Sequence, residues 1–497
     1  MQLLSTLFRS LTLSALGATL YLYYYTAFCR WKWEDSEARI LFLADPQIEG
    51  DAKIERQGKR GTPFLSDSPC EIDLIGNDIY FRHVYTSFVS PYSLFTRKPT
   101  HTIVLGDLFS SQWIDDREFE KRVKRYKWIF GDPRGEYDHE FINLTGNHDI
   151  GYSGDISQHR VDRWEKEFGK MNFNSWIPSI ESTDNLESVK VHRLAVVNSM
   201  NVDGPAQNEQ LRSETWSFLD ALAEERERED HQIPLILSTH IPLYKREGLC
   251  VDGPMTLLDE HDFIKEQNHL SQNASRFILT KLKPKFIFAG HDHEGCDVTY
   301  VIRTNEGRED SVEAYKTSDF EMRKKEILGV NTSPFFDDEG IDWFGGVDEK
   351  TWVVREVTVR SVMGEFGGNA GLFEIHRRIG SDGNEGILFR ILSAIHIEYF
   401  KSLKRIFISS GFEYNYSSCP FVVNHIPWIV AVIDIVIILG WVIMWVGFGK
   451  IVRKFKAFVH HNYHQLQQKQ QSLTTTQTKK MMRRNSFKFS TKNVCIM

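Results

Sequence analysis

From Lys450 to Met497 the chain contains eleven lysines and arginines and no aspartate or glutamate. With that tail set aside, the whole-chain net charge of −7 becomes −18 over residues 1–449. An acidic body without surplus Lys or Arg argues against nucleic acid as a partner, because phosphate backbones are held by those cations. Internal repeats are absent as well, so a repeat array is not expected. Cysteines number six, and the last, Cys495, stands third from the end where prenylation needs the fourth position, which excludes C-terminal lipidation. What remains is globular composition, 41% hydrophobic and 26% charged, which excludes wholesale disorder and a many-pass transporter. At 497 residues, one large domain or two smaller ones with appendages is expected.

Only two runs are long and apolar enough to cross a bilayer, which takes about 20 residues of helix. The first, Leu11 to Phe28, carries no charge and follows Arg9; it is long for a signal peptide and lacks a small-x-small cleavage site, so an anchor is expected. The second, Trp428 to Phe448, is followed at once by Lys450, Arg453, Lys454 and Lys456, which places the tail in the cytosol by the positive-inside rule. Two spans then put the intervening domain in the secretory lumen or at the cell surface. The expected organisation is a cytosolic stub and signal-anchor helix (1–29), a lumenal domain (30–380) with an exposed insertion at 304–350, an amphipathic membrane-proximal segment (381–427), a transmembrane helix (428–449) and a basic, disordered tail (450–497). Sequons occur at Asn143, Asn273, Asn331 and Asn415, of which Asn273 and Asn415 are the usable ones, since Asn143 sits in a core strand. Asp434, mid-span, is read either as a contact for another membrane protein or lipid head group, or as locally hydrogen-bonded within a two-span anchor. With no terminal dilysine and only Arg483-Arg484 as a retention signal, the sequence leaves endoplasmic reticulum and Golgi open.

Between the spans, short apolar runs alternate with amphipathic stretches, the pattern of a layered α/β domain. Strands are expected at Ile40–Ala44, Thr102–Leu105, Phe141–Leu144, Leu194–Asn198, Leu235–Ser238, Lys285–Ala289, Asp297–Ile302 and Trp352–Val359. Helices are expected at Asp116–Phe130, Arg160–Phe168, Leu211–Glu227 and Ala274–Leu282. Five of the strands run into residues able to bind metal: Asp45-Pro46-Gln47, Gly106-Asp107, Gly146-Asn147-His148-Asp149, Thr239-His240 and Gly290-His291-Asp292-His293. In an open α/β sheet, ligands bind beyond the carboxyl ends of strands, so all five clusters would converge on one edge. A lone His or Asp at a strand end is ordinarily a turn residue. The ordered recurrence of five such ends points to a shared site for two metal ions.

On these motifs the chain resembles the calcineurin-like metallophosphoesterases across about residues 38–300. The resemblance implies a four-layer α/β/β/α sandwich. It further implies one metal held by Asp45, Gln47, Asp107 and His293, and a second by Asp107, Asn147, His240 and His291, with Asp107 bridging. His148 would stand outside the metals as a catalytic acid toward the leaving group, its ring oriented by Asp149. A bridging carboxylate sets two cations about 3.5–4 Å apart, a geometry suited to in-line attack at phosphorus. The family's first motif is usually Asp-x-His, and Gln47 replaces that histidine; an amide oxygen is a harder ligand than imidazole, which favours Mn²⁺ over Zn²⁺. Gln47 either ligates directly or leaves its place to water.

The Asp-Pro-Gln motif, His240-Ile-Pro-Leu-Tyr-Lys245 with Cys250, Gly290-His-Asp-His-Glu-Gly-Cys296, Glu356-Val-Thr-Val-Arg-Ser361 and the two flanking spans resemble one branch of that superfamily, the endoplasmic-reticulum enzymes that remove ethanolamine phosphate from the mannoses of GPI anchors. This implies GPI-anchored proteins or GPI lipid as substrate, at the membrane, with a further cargo-sorting contact through the transmembrane region. A phosphoesterase acting on another head group or nucleotide, and a sorting receptor that uses the site only for binding, are the alternatives. Cys250, ten residues after His240, and Cys296, three after His293, are expected to be disulfide-bonded, tying two ligand loops together. Nothing in their surroundings brings Cys70 and Cys419 together.

Overall fold

In a computed structural model, residues 2–24, 29–33, 35–50, 68–90, 97–131, 139–178, 190–229, 231–305, 309–329, 344–347, 350–377, 412–421 and 425–489 are described. The chain forms two compact units, Met1–Tyr21 with Pro427–Met497, and Leu22–Ile426.

The larger unit contains two mixed sheets. In the first, β1 (Ala38–Leu43), β2 (His101–Val104) and β3 (Glu140–Asn143) are parallel, and β14 (Asn369–Arg377) and β15 (Phe412–Pro420) extend it antiparallel beyond β1. The second runs β11 (Ser311–Lys316), β10 (Cys296–Arg303), β13 (Thr351–Thr358), β9 (Phe286–Ala289), β6 (Leu235–Thr239), β5 (Lys190–Val197), β4 (Phe173–Pro178), with the short β12 (Gly345–Gly346) on β13. Its centre, β13-β9-β6-β5, is parallel. A separate hairpin joins β7 (Thr256–Leu258) to β8 (Ile264–Gln267).

Strand alternation sets the layers. Ala38, Ile40 and Phe42 pack with Leu194, Val196, Ile236 and Phe286 of the other sheet, and the Phe42 ring stacks on Phe288 with centroids 4.0 Å apart. Leu41 and Leu43 face the other way, into a cluster with Phe81 and Tyr85 of α2 (Ser68–Val89) and Tyr126 and Phe130 of α3 (Asp116–Phe130). Ala195, Leu235, Leu237 and Ile287 do the same toward Leu211, Leu219 and Leu222 of α6 (Glu209–Arg228). Two packed sheets with helices outside are the result. Because the central strands are buried on both faces, they read in the sequence as continuous apolar runs.

Elsewhere the structure corrects the sequence reading. The 304–350 segment is more than an exposed insertion: β11 pairs with β10, and Phe320 of α8 (Thr317–Leu328) is buried against Val301 and Val353. Of the membrane-proximal segment, residues 381–411 lie outside the described residues, while 412–420 is strand β15, whose Tyr414 and Tyr416 alternate into the core between the sheets. Asn415, expected as a glycan acceptor, donates its amide to buried Glu374 instead (3.1 Å), whereas Asn273 is exposed; Asn331 lies outside the described residues. Cys419 bonds to Cys29, placed by the sequence reading at the end of the anchor, with Cα atoms 5.6 Å apart.

In the smaller unit, α9 (His425–Phe489) continues as one helix through most of the tail expected to be disordered; from Lys450 onward it has no Gly or Pro to stop it and is rich in Gln, Lys and Arg. Only Ile429–Val446 among the described residues is a helix long and apolar enough to cross a membrane. α1 (Gln2–Tyr24) is a helix that does not meet that mark over its described residues, and residues 25–28 of the expected first span lie outside the described residues. The two helices run antiparallel and touch through side chains: Thr19 Oγ1 donates to Asp434 (2.7 Å) and Trp441 Nε1 donates to Thr12 Oγ1 (3.0 Å). Asp434 thus has a partner within its own chain.

Candidate metal centre

Neighbouring strand ends are laced together by backbone hydrogen bonds that carry their side chains to one place. Gln47 N donates to Asp107 O (2.9 Å), joining the loops after β1 and β2, and Gly290 N donates to His240 O (3.1 Å), joining those after β6 and β9. Ser361, just past β13, bridges the sheets: its Oγ donates to Asp45 O (3.2 Å) and its N to His293 O (3.2 Å). Of the seven non-glycine residues with left-handed φ among those described, four are Asp45, Gln47, Asp107 and His291. Such strain, about 1–3 kcal/mol each, persists where surrounding structure over-determines it, commonly at functional sites. The glycines are required by contact: a Cβ on Gly146 would lie 2.1 Å from Asp107 Oδ1, and one on Gly106 2.5 Å from His240 Nδ1.

The donor atoms fit cations. Asp45, Asp107 and His240 are buried and present ligand atoms within 4.8 Å of one another. His240 Nδ1 donates to the Leu105 carbonyl (2.7 Å), which fixes the proton there and leaves Nε2 with its lone pair. That lone pair faces Asn147 Oδ1 at 3.0 Å and Asp107 Oδ1 at 3.4 Å. With the Asn147 oxygen turned inward, three acceptors converge on one point, a set that a cation satisfies. His291 is arranged alike, its Nε2 donating to the Gln267 carbonyl (2.9 Å) so that Nδ1 is left for a ligand. Burial pushes the His291 imidazole down to about 3 and lowers His240 and His293 too, so all three are held neutral, as metal binding needs. Burial and the Asp107 charge push the Asp45 carboxyl well above its usual range, and among the described residues neither aspartate pairs with Lys or Arg. Added positive charge would relieve Asp45.

The remaining candidates fall around this pair. The Gln47 amide nitrogen is 3.2 Å from both Asp107 Oδ2 and His293 Nε2, so the amide end faces the centre; which of its two atoms points inward is an assignment. His148, its side chain 38% exposed, holds Nε2 3.9 Å from Asp107 Oδ2. Asp149 does not orient that ring. Its buried carboxylate accepts from Gly146 N (2.9 Å) and Phe109 N (3.1 Å), fixing the turn α4 (Asn147–Ile150) on the β2 loop. Asp149 therefore positions Asn147 and His148 through the backbone. Cys250 and Cys296 are disulfide-bonded, Cα atoms 5.6 Å apart, as their spacing led us to expect. Ser361, known from the sequence only as the end of the Glu356–Ser361 motif, and Phe366, whose ring lies 4.4 Å from that of His293 and which no motif marks, belong to the site.

The family model for calcineurin-like phosphoesterases matches residues 38–295. The chain is a calcineurin-like phosphoesterase. This phosphoesterase is 30% identical over 480 residues to Protein TED1 of Saccharomyces cerevisiae, covering 82% of this chain and 83% of that one. It is 24% identical over 320 residues to Metallophosphoesterase 1 of Danio rerio (56% of this chain, 71% of the relative). It is 25% identical over 287 residues to Cell division control protein 1 of Saccharomyces cerevisiae (55% and 51%). It is a metal-dependent hydrolase of phosphate esters, with Asp45, Asp107 and His240 as the candidate triad for a divalent ion.

Proposed function

We propose that this phosphoesterase is a two-metal phosphodiesterase that removes ethanolamine phosphate from a mannose of GPI anchors during their remodelling in the secretory pathway. The carrying observation for the chemistry is the His240 Nε2 lone pair meeting Asn147 Oδ1 and the Asp107 carboxylate, beside a second buried carboxylate, Asp45, a donor set suited to a divalent cation. Asp45, Gln47, Asp107 and His293 would hold one ion and Asp107, Asn147, His240 and His291 the other, Mn²⁺ being favoured by the oxygen-rich first site. Bound there, divalent ions supply Lewis acidity toward phosphoryl oxygens and a nucleophile at neutral pH. His148, at the mouth beside Asp107, donates a proton to the departing alkoxide.

For the substrate, the support is the motif resemblance together with a membrane helix on the same chain. In this reading α1 crosses the bilayer beside α9, the catalytic unit is lumenal at the endoplasmic reticulum membrane, Asn273 carries a glycan and the tail is cytosolic. GPI-anchored proteins or GPI lipid then come to a site tethered at the surface where they reside.

The test incubates purified full-length protein with Mn²⁺ and GPI precursors alongside lipid and nucleotide phosphodiesters. Release of ethanolamine phosphate well above turnover of the other esters is expected. Preference for another head group or a nucleotide would overturn the substrate, and GPI binding without turnover would make the protein a sorting receptor.

A further inference from the structure

Behind the His240 loop lies a buried charged cluster that the chemistry above does not use. Glu356 of β13 and Lys245 are both buried, and Lys245 Nζ donates to Glu356 Oε1 (3.0 Å) and to the Leu243 carbonyl (3.1 Å). The same Oε1 accepts from Leu243 N (2.9 Å), and Oε2 accepts from the Tyr300 hydroxyl on β10 (2.7 Å). One carboxylate therefore holds the N–H of Leu243 and, through Lys245, its carbonyl, three residues beyond His240. The Tyr300 hydroxyl is also 3.2 Å from the Tyr244 carbonyl, and β10, which carries Tyr300, begins at Cys296, three residues beyond His293, while Glu356 pairs in register with Ile287 of β9, the strand that runs into His291. The Cys250–Cys296 bond closes over the same two loops.

A buried Lys–Glu pair is a poor way to stabilise a fold, because the cost of desolvating two ions offsets their attraction and apolar replacements are often neutral or better. Its persistence here calls for another role, and its place supplies one. We infer that Lys245 and Glu356 are positioning residues that set the separation of the two metal-ligating loops, the one carrying His240 and the one carrying His291 and His293. Glu356 thus sits at the junction: it holds Leu243 and Lys245 of the loop after His240, and it stands on the strand beside β9 and beside β10, which flank His291 and His293. This rests on the phosphoesterase assignment and is independent of the GPI substrate.

The experiment uses full-length protein in detergent and bis(p-nitrophenyl) phosphate, with thermal unfolding and the Mn²⁺ dependence of kcat measured on each variant. Lys245→Met leaves Glu356 buried without its cation, and a lower Tm is expected. Lys245→Met/Glu356→Gln removes both charges, so Tm should return toward wild type. The Mn²⁺ concentration for half-maximal activity should nevertheless stay raised by about 10–100-fold, as for groups that orient metal ligands, with KM for the ester unchanged. A double variant with restored Tm and wild-type Mn²⁺ dependence would reduce the pair to a packing device and overturn the inference. If the double variant does not fold, Glu356→Gln decides when assayed well below its own lowered Tm, where it is folded: a raised Mn²⁺ requirement supports the role, and an unchanged requirement overturns it.

Discussion

Asp107 Oδ1 lies 3.4 Å from His240 Nε2 and accepts from His148 N at 2.8 Å, while its Oδ2 meets the Gln47 amide at 3.2 Å. A residue reaching both halves of the centre should matter more than one reaching a single half. Asp107→Asn is expected to lower kcat by about 10²–10³-fold or more, and Gln47→Ala by about 10–100-fold. Metal analysis should find two ions per wild-type chain and fewer in Asp107→Asn; full occupancy and activity in that variant would contradict a shared ligand. His148→Asn should keep its metal while losing about 10²–10⁴-fold in turnover, and the loss should shrink for an ester whose leaving group needs no proton. An equal loss on both esters would mean that His148 acts at phosphorus or supports the site. The candidate ligands were legible because each cluster closely follows an apolar run, often with a glycine that the crowded turn requires. The roles of Asp149 and Ser361, and Phe366 altogether, were not, because what they do depends on backbone and rings distant in sequence: Asp149 beside His148 reads as its partner, yet it binds Phe109 N, 40 residues away.

At the level of elements, most continuous apolar strands declared themselves, as did β10, whereas β14, buried but interrupted by Gly and Glu, and the half-polar β15 did not. β15 alternates Phe, Tyr and Tyr with Glu and Asn, and next to a membrane span that alternation passes for an amphipathic surface segment. Likewise α2 buries Leu74, Phe81, Tyr85 and Phe88 at helical spacing within a stretch of mixed polarity, and no expectation covered it. The joint between β5 and β15 makes a pH prediction. His192 is buried against the Tyr414 hydroxyl (2.8 Å), and burial, with a further push from Lys285, lowers its imidazole from 6.5 to about 3. The unfolded chain takes up this proton below about 6.5 and the folded chain does not until about 3, so the stability present above 6.5 falls away across that window. At pH 5 the loss from this residue is about 2 kcal/mol. His192→Gln, which can keep a hydrogen bond but cannot titrate, should unfold in urea with a smaller drop in stability between pH 7 and pH 5. The same drop in both proteins would place the titration elsewhere.

For the whole molecule, the proposed topology joins an acidic catalytic unit to a basic tail across one apolar helix and its partner α1. Sealed microsomes should show a glycosidase-sensitive glycan at Asn273 and a protease-accessible tail; a protected tail would reverse the orientation and remove the domain from its lumenal substrate. The sequence made the metal chemistry and the second span plain, while the Cys29–Cys419 link became visible only with the chain folded. The most direct measurement is mass spectrometry of GPI glycans from cells lacking this protein, re-expressing either wild type or Asp107→Asn. The account predicts mannose-linked ethanolamine phosphate retained in the null cells and with Asp107→Asn, and removed with wild type. GPI glycans identical in all three would contradict it.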